Sequence, residues 1–562
     1  MAEPPAPPAS GEPGAFPSPP PFSDERVIHC SERLLVVDKP SGLPVHGGAV
    51  VGADLVGRLA AWLRARGEVE YLAVHQRLDL GTSGVLLLGR DPALNTALAR
   101  AMEAHEVRRE YVAITRDAGG PSHGVMEDQL ITSRGSRGLE SRLVSRGGKP
   151  CRARFQVLKR GAGRAWVALF PETGRTHQLR VQLAARGMPV LGDLQYGGDA
   201  APAARLMLHA YRLEHAGLGL SFEASVPAAF ERALRGDSAL GLEAPRDLEQ
   251  RLMDAWVARY PLPPSVHALR LVHELGDALP GVSIDAYGEH AVLSVASEEA
   301  RVAAPRIAEW LVQRGFRGVY LKLRPRADLR AESREALAPT APLAGEPAPE
   351  VLTVLEGEAR YLVRLADGLS TGLFIDQRDN REQVRRVAAG ARVLNLFSYT
   401  CSFTVAAAQG GARETVSVDL SGRYLGWGRE NLALNQILSE AHRFIRADAA
   451  DYLRRARARG ERFDLVVLDP PSFGSSGKKS FSVARDYPKL AEDAAAVLAP
   501  GGRLLAVTNH RKTSAERLRG WLSQGAARAG IATRIEAAKS GADCPAWPGG
   551  ESPTKAFWLE RR

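Results

Sequence analysis

HQRLDLGTSG, residues 75–84, decides the fold of the first half of this 562-residue chain. It places one carboxylate, Asp79, two residues after Arg77 and just before a Thr-Ser-Gly turn, with no second acid in the segment. A lone aspartate beside a cation suits a site where one ionised carboxylate attacks a ring or sugar carbon and an anionic substrate is held close. Taken alone, the same residues also fit a strand end and a surface turn that Asp79 caps. Around them, the β-type runs LLVVD (34–38), GVLLLG (84–89), ARFQVL (153–158) and AWVALF (165–170) alternate with turns and with a helix over 91–106. That pattern predicts a mainly antiparallel α+β domain.

Four segments, in order, carry a resemblance. They are LLVVDKPSGLPVHGG (34–48), HQRLDLGTSGVLLLGRD (75–91), RREYVAI (108–114) and PETGRTHQLRVQLAARGMPVLGDLQYGG (171–198), the last followed by RLMLHAYRL (205–213). Over residues 27–232 the chain resembles the RluA-type pseudouridine synthases, whose pattern reads R-L-D-x-x-T-S-G. Gln76 departs from it, standing where many relatives carry His. The resemblance implies that Asp79 attacks the target nucleoside or removes a ribose proton while the glycosidic bond breaks. It also implies that Arg77 fills the space left by an everted uridine, that Tyr111 packs on the flipped base, and that Arg180 pairs with Asp79. As plain structural residues, Tyr111 would be core and Arg180 a helix-surface cation. No metal or organic cofactor is implied for this half.

Length predicts several domains. Apolar content of 45% and charged content of 25% are ordinary for a globular protein. No apolar run approaches a membrane span. Residues 1–22 lack a basic start and an apolar core, so they are expected to be a Pro-rich disordered tail and not a secretion signal. Cys30, Cys151, Cys401 and Cys544 lie far apart, which gives no local zinc motif and no disulfide framework, and suits the cytoplasm.

The formal charge of +10 favours a polyanionic partner, although only ten of the 74 basic residues are Lys, an imbalance that coding bias alone can produce. Position says more. Between Ser133 and Trp166, ten basic residues, among them Arg142, Arg146, Lys149, Arg152 and Lys159, face one acid, Glu140. Interleaved glycines and serines suit a hairpin laid along a phosphate backbone, or equally a solvated hairpin.

The expected organisation is a synthase domain over 23–235, a connector over 236–265 with a helical pattern at 246–258, and a small α/β domain over 266–323. A Pro/Ala-rich linker over 324–350 and an α/β domain over 351–562 complete it. In the last domain the strands VLNLF, TVSVDL, FIRAD, FDLVVLDPP and RLLAVTN alternate with helices. This predicts a Rossmann-like, doubly wound and mostly parallel sheet.

In such sheets ligands bind beyond the carboxyl ends of the strands, where Asn395, Asp419, Asp448 and Asp469 collect. Asp419 lies 24 residues after Asn395, a spacing suited to gripping a ribose diol. The first turn holds no G-x-G-x-x-G, so an adenosine ligand without phosphates fits better than NAD. In D-P-P-S-F, Asp469 and the carbonyl beside Pro470 can accept hydrogen bonds from a base amine before the rigid Pro470–Pro471 turn, and Phe473 can stack on that base. The other reading is that the prolines merely end a strand and Phe473 is core.

LRLVHELGDALPGVSIDAYGEHAVL (269–293), STGLFIDQRDNR (370–381), LNLFSYTCSFTVAAAQGGA (394–412), SVDLS (417–421) and LDPPSFG (468–474) give the second resemblance. Residues 266–562 resemble class I S-adenosylmethionine-dependent methyltransferases of the RlmI/RlmK kind, which modify large-subunit ribosomal RNA. That implies S-adenosyl-L-methionine as cofactor, with Asn395, Phe397, Asp419 and Asp448 lining its pocket and Gln377, Arg378 and Asn380 near it. Cys401 and Ser402 replace glycines common in relatives. AVTNHRKTS (506–514) lacks the nucleophilic Cys of relatives that make 5-methylcytosine; Asn509 and His510 stand there instead, so a base nitrogen is the expected acceptor. SSGKKS (475–480) offers Lys478 and Lys479 as an RNA clamp, or is a plain soluble loop.

The expectation is a monomeric, cytoplasmic, bifunctional RNA-modifying enzyme acting on ribosomal RNA. An RNA-binding assembly factor with inactive sites is the alternative for the whole chain, and an NAD-linked oxidoreductase for its second half.

Overall fold

The computed structural model describes residues 16–47, 52–135, 138–199, 205–237, 241–242, 244–262, 265–324, 333–476, 479–538, 541, 543–546 and 551–562. The chain divides into two compact units. One comprises Ser18–Leu262 with Glu274–Pro280, and the other Met1–Pro17, Pro263–His273 and Gly281–Arg562.

Among the described residues, the first unit is built on an eleven-stranded sheet. Its spatial order runs Val27–Cys30, Leu34–Lys39, Ser83–Gly89, Leu208–His215, Arg108–Arg116, Arg164–Pro171, Lys149–Gly161, His123–Gly135 and Gly138–Val144, with two short strands off this path. Neighbours are antiparallel except Ser83–Gly89 and Leu208–His215, which run parallel with His209 opposite Ser83 and Ala210 opposite Gly84. Ser83–Gly89 is buried on both faces, which explains its unbroken apolar run. The expected helix forms over Pro92–Glu103, its start fixed by the Asp91 carboxylate accepting from the Ala93 and Leu94 amides.

Gly84 is required by geometry. Its φ is +115°, and a Cβ there would collide with the Ala210 carbonyl oxygen. Gly84→Ala is therefore expected to destabilise the unit by about 3 kcal/mol or more. A denaturant midpoint unchanged by Gly84→Ala would contradict this packing.

Two expectations about segment character meet different surroundings. Phe22 is 1% exposed and packs with Leu35, Leu55 and Trp62, whereas residues 1–15 of the expected tail lie outside the described residues. The helical pattern near 246–258 forms Pro245–Ala258 and buries Leu248, Leu252 and Trp256. Asp254 on that helix holds Arg26 through two hydrogen bonds of 2.6 Å, and Arg26 in turn holds Asp38.

In the second unit, Ala268–His273, Val282–Tyr287, His290–Val295 and Gly318–Leu323 form a sheet covered by the Glu298–Gln313 helix. Ala344–Gly345, inside the stretch expected to be linker, joins this sheet's edge. The Leu352–Glu356/Ala359–Val363 hairpin follows. Then comes a seven-stranded sheet in the order His442–Arg446, Glu414–Asp419, Arg392–Leu396, Phe463–Leu468, Leu498–Thr508, Lys555–Arg561 and Thr533–Ala537. The first five are parallel, and Lys555–Arg561 is antiparallel to both its neighbours. The order reverses at Arg392–Leu396, flanked by Glu414–Asp419 and Phe463–Leu468, so the turns after these strands share one crevice. No helix among the described residues is long and apolar enough to cross a membrane.

Candidate active sites

In the first unit Asp79 lies in the turn before Ser83–Gly89, its side chain 25% exposed. Arg180, on the Gln178–Ala185 helix, donates to it at 3.2 Å from a guanidinium only 10% exposed. Arg180 is therefore a buried partner of Asp79 and not a surface cation. It also meets Asp193 twice, at 2.7 and 2.8 Å, and lies over the Tyr196 ring at 5.0 Å. Burial opposes the Arg180 charge, but Asp193 and Asp79 outweigh it and raise its pKa. Tyr111 is half-buried between two apolar clusters, its phenol raised first by burial and further by the Asp79 charge. Arg77 is exposed beside them.

Three residues of this site carried no role in the sequence reading. Asp193 is 2% exposed in the GDLQYGG turn. Its carboxylate accepts from the Gln195 and Tyr196 amides and so faces Arg180 in a fixed direction. His177, left-handed at φ +56°, bonds the Tyr196 hydroxyl at 2.8 Å; burial lowers its pKa against the opposing pull of Asp79. Lys39, fully buried, donates to the carbonyls of Pro40, Leu43 and Leu80 at 2.9, 2.7 and 3.4 Å, tying the 40–43 loop to the residue after Asp79. Burial, with Arg205 nearby, pushes that ammonium down to about 7. Each sits inside a segment quoted above, but contacts between residues 13, 19 and 41 positions apart leave no mark on local spacing.

Removing the Arg180 charge would leave Asp193 buried and unpaired. Arg180→Met is expected to cost about 3–5 kcal/mol of stability, read by denaturant unfolding. A neutral effect would mean the Asp193 carboxylate has another partner.

The basic hairpin is less bare than its sequence implies, because acids arrive from neighbouring strands and helices. Arg152 pairs with Glu127 and Glu172, Lys159 with Glu231 and Arg160 with Asp117. Among the described residues, Arg142, Arg146 and Lys149 are exposed and form no ion pair, which leaves a smaller patch near the hairpin end.

In the second unit the turn after Arg392–Leu396 is wound through three left-handed residues, Phe397, Tyr399 and Cys401, at φ +55°, +49° and +61°. That is the conformation in which glycine is easiest, which explains why glycines are common in relatives here. The Cys401 sulfur is accommodated by Gly428, where a Cβ would collide with it. Asn431 donates to the Thr400 carbonyl at 2.9 Å, and Thr400 donates to the Gly372 carbonyl at 2.5 Å, bracing the turn from behind.

Asp419 accepts one amide on each oxygen, Tyr399 at 2.9 Å and Ser421 at 2.8 Å, and remains partly exposed. A carboxylate has about four acceptor positions, so two remain for a diol. Asp448 caps the Ala449–Ala458 helix through the Asp451 amide at 3.0 Å. Phe397 packs its ring 5.9 Å from that of Phe481.

The other expected pocket residues sit behind this wall. Asn395, 2% exposed, donates to Thr404, which bonds Ser417. Gln377 and Asn380, 3% and 4% exposed, bond each other at 2.8 Å. Arg378 is held by two bonds to Asp543. Each of these side chains thus makes at least one hydrogen bond to a neighbouring side chain. The last residue of STGLFIDQRDNR, Arg381, forms a buried pair with Glu356 of the preceding hairpin.

Across the crevice, burial and then the Asp376 charge raise the Asp469 carboxyl to about 7, against the pull of Arg381. Pro470 is buried and Pro471 exposed. Ser472 donates to the Asn509 side-chain oxygen at 2.6 Å, so the residue standing near the missing Cys position faces the D-P-P-S turn. The side chains of Phe473 and Lys479, and all of Lys478, lie outside the described residues.

Residues 33–185 match the family model of RNA pseudouridylate synthases, and residues 313–546 that of S-adenosylmethionine-dependent methyltransferases. Segments matching two enzyme families are thus joined in one chain. The methyltransferase domain has curated relatives. Ribosomal RNA large subunit methyltransferase K of Neisseria meningitidis is 48% identical over 160 residues, covering 28% of this chain and 45% of its own length. Ribosomal RNA large subunit methyltransferase I of Aeromonas salmonicida is 37% identical over 239 residues, covering 42% and 59%. The chain thus spans about half the length of these relatives. A solved Streptococcus mutans structure assigned as a SAM-dependent methyltransferase is 28% identical with a TM-score of 0.50, covering 61% of this chain and 85% of that one.

In the pseudouridine synthase domain the matched segment holds Asp79, Tyr111 and Arg180, while Asp193 lies just beyond it. The methyltransferase match holds both crevice acids, Asp419 and Asp469. S-adenosylmethionine fits the donor set: a partly open carboxylate for a ribose, and no glycine-rich phosphate cradle beside it. When bound, it supplies an activated methyl group.

Proposed function

We propose that this protein is a bifunctional RNA-modifying enzyme. The first unit isomerises a uridine to pseudouridine, and the second methylates a base in the same class of RNA, large-subunit ribosomal RNA. The observation that carries this reading is the chain of contacts from the partly exposed Asp79 through the buried Arg180 to Asp193, the first two within a segment matching pseudouridylate synthases, in one chain with the Asp419/Asp469 crevice. Relatives of the second unit named as large-subunit ribosomal RNA methyltransferases support the substrate class. The exposed, unpaired Arg142, Arg146 and Lys149 supply cations for the backbone.

In the first site Arg180 keeps Asp79 aimed through their 3.2 Å hydrogen bond while the uridine leaves its stack, at a cost of about a few kcal/mol. Tyr111 packs against the everted base and Arg77 fills the gap. In the second site the fixed turns hold acceptor and methyl donor at attack distance. The ionised Asp469 accepts from a base amine, and Asn509 next to Ser472 leaves no thiol for covalent attack on a ring carbon, which favours a base nitrogen. The protein acts as a monomer in the cytoplasm.

Asp419→Ala is expected to weaken S-adenosylhomocysteine binding about tenfold or more, read by calorimetry. Unchanged affinity, or tighter binding of NAD than of S-adenosylhomocysteine by the wild type, would contradict the cofactor assignment.

A further inference from the structure

Phe374 is 43% exposed in a unit that buries most of its aromatic side chains. Its backbone is fixed: the Phe374 carbonyl accepts from Arg381 at 2.8 Å, and Arg381 is itself 1% exposed and paired with Glu356 at 2.6 and 2.5 Å. The exposed ring is therefore carried on one of the most firmly tied points of the domain.

The ring's surroundings give it a direction. Its centroid lies 5.1 Å from that of Tyr399, and Tyr399 lies 4.5 Å from Tyr424, edge to face. The Tyr399 amide is bonded to Asp419 at 2.9 Å, so the middle ring of this row is carried by a residue that touches the cofactor acid. Two residues beyond Phe374, Asp376 is the anion that acts most strongly on Asp469, the acceptor-side carboxyl. Phe374 thus packs against Tyr399, the residue whose amide holds Asp419, while 43% of its own surface stays open to solvent.

We propose that Phe374 is a nucleobase-stacking platform, against which an unpaired base of the RNA substrate lies while the acceptor base enters the methyltransferase crevice. An aromatic face stacks on any base without regard to sequence, and Phe offers no polar group that would select one. The fixed backbone means that little ordering is needed when the base arrives. Phe374 acts as a positioning residue, and its role rests on the methyltransferase reading given above.

The test uses the full-length protein and unmodified large-subunit ribosomal RNA transcribed in vitro. Methyl incorporation, pseudouridine content and S-adenosylhomocysteine affinity are measured for wild type, Phe374→Ala and Phe374→Trp. Phe374→Ala is expected to raise KM for RNA in methyl transfer by about tenfold to a hundredfold. Cofactor affinity and pseudouridine formation should stay at wild-type levels, and Phe374→Trp should restore methylation. Unchanged methylation in Phe374→Ala overturns the proposal, as does a loss of cofactor affinity large enough to account for the defect, which would make Phe374 a cofactor contact. A wild-type protein that binds S-adenosylhomocysteine but methylates no ribosomal RNA removes the reading beneath the proposal, and the two failures are thereby told apart.

Discussion

Asp79→Asn is expected to abolish pseudouridine formation, by about 10⁴-fold or more, while methylation of the same RNA continues. The substitution keeps the size and shape of the side chain and removes the charge on which attack or proton removal depends. Arg180 keeps both of its bonds to Asp193, so the helix and the GDLQYGG turn stay in place. RNA binding is carried by exposed cations elsewhere and should persist. The outcome is measured as nucleoside composition after reaction, with RNA affinity read separately. An active Asp79→Asn protein would sink the assignment of this carboxylate, and loss of both activities would point to misfolding.

Asp469→Asn removes most methyl transfer and leaves pseudouridine formation untouched. The wild-type methylation rate should rise with pH through about 7, because only the ionised carboxylate accepts fully from a base amine. The same shift has a signature in stability. A carboxyl whose pKa is raised on folding prefers its protonated form in the folded state. Its stabilising contribution is fully present below the unfolded value of about 4 and is lost as pH rises through about 7. Activity and local stability should therefore move in opposite directions across that window. A flat pH profile of methylation between these limits, with cofactor saturating, would show that ionisation of Asp469 is not needed.

Both folds were legible because their signals are local. Apolar runs ended by turn residues marked four strands of the eleven-stranded sheet, and the strand–helix alternation after residue 390 marked the five parallel strands of the seven-stranded one. The parallel pairing of Ser83–Gly89 with Leu208–His215 was not legible, since it joins strands 120 residues apart and Gly84 shows its purpose only against Ala210. In the first site the lone Asp79 and its Arg180 partner were read from motifs, whereas Asp193, Lys39 and His177 act through contacts that cross the chain. In the second unit Asp419, Asp448 and Asp469 do lie at or just after strand ends, as the alternation of elements implied. Asn395, Gln377 and Asn380 are buried and hydrogen-bonded to neighbouring side chains, contacts that spacing along the sequence does not show. The basic hairpin shows the converse error: counting acids along the sequence overlooked Glu127, Glu172 and Glu231, which reach it from neighbouring elements.

Purified full-length protein, incubated with unmodified large-subunit ribosomal RNA with and without S-adenosylmethionine and followed by nucleoside mass spectrometry, tests the two-site account most directly. Pseudouridine should appear in both reactions, and a methylated base only when the methyl donor is present. Failure to form pseudouridine in either reaction, or the absence of any donor-dependent methylated nucleoside, would contradict it.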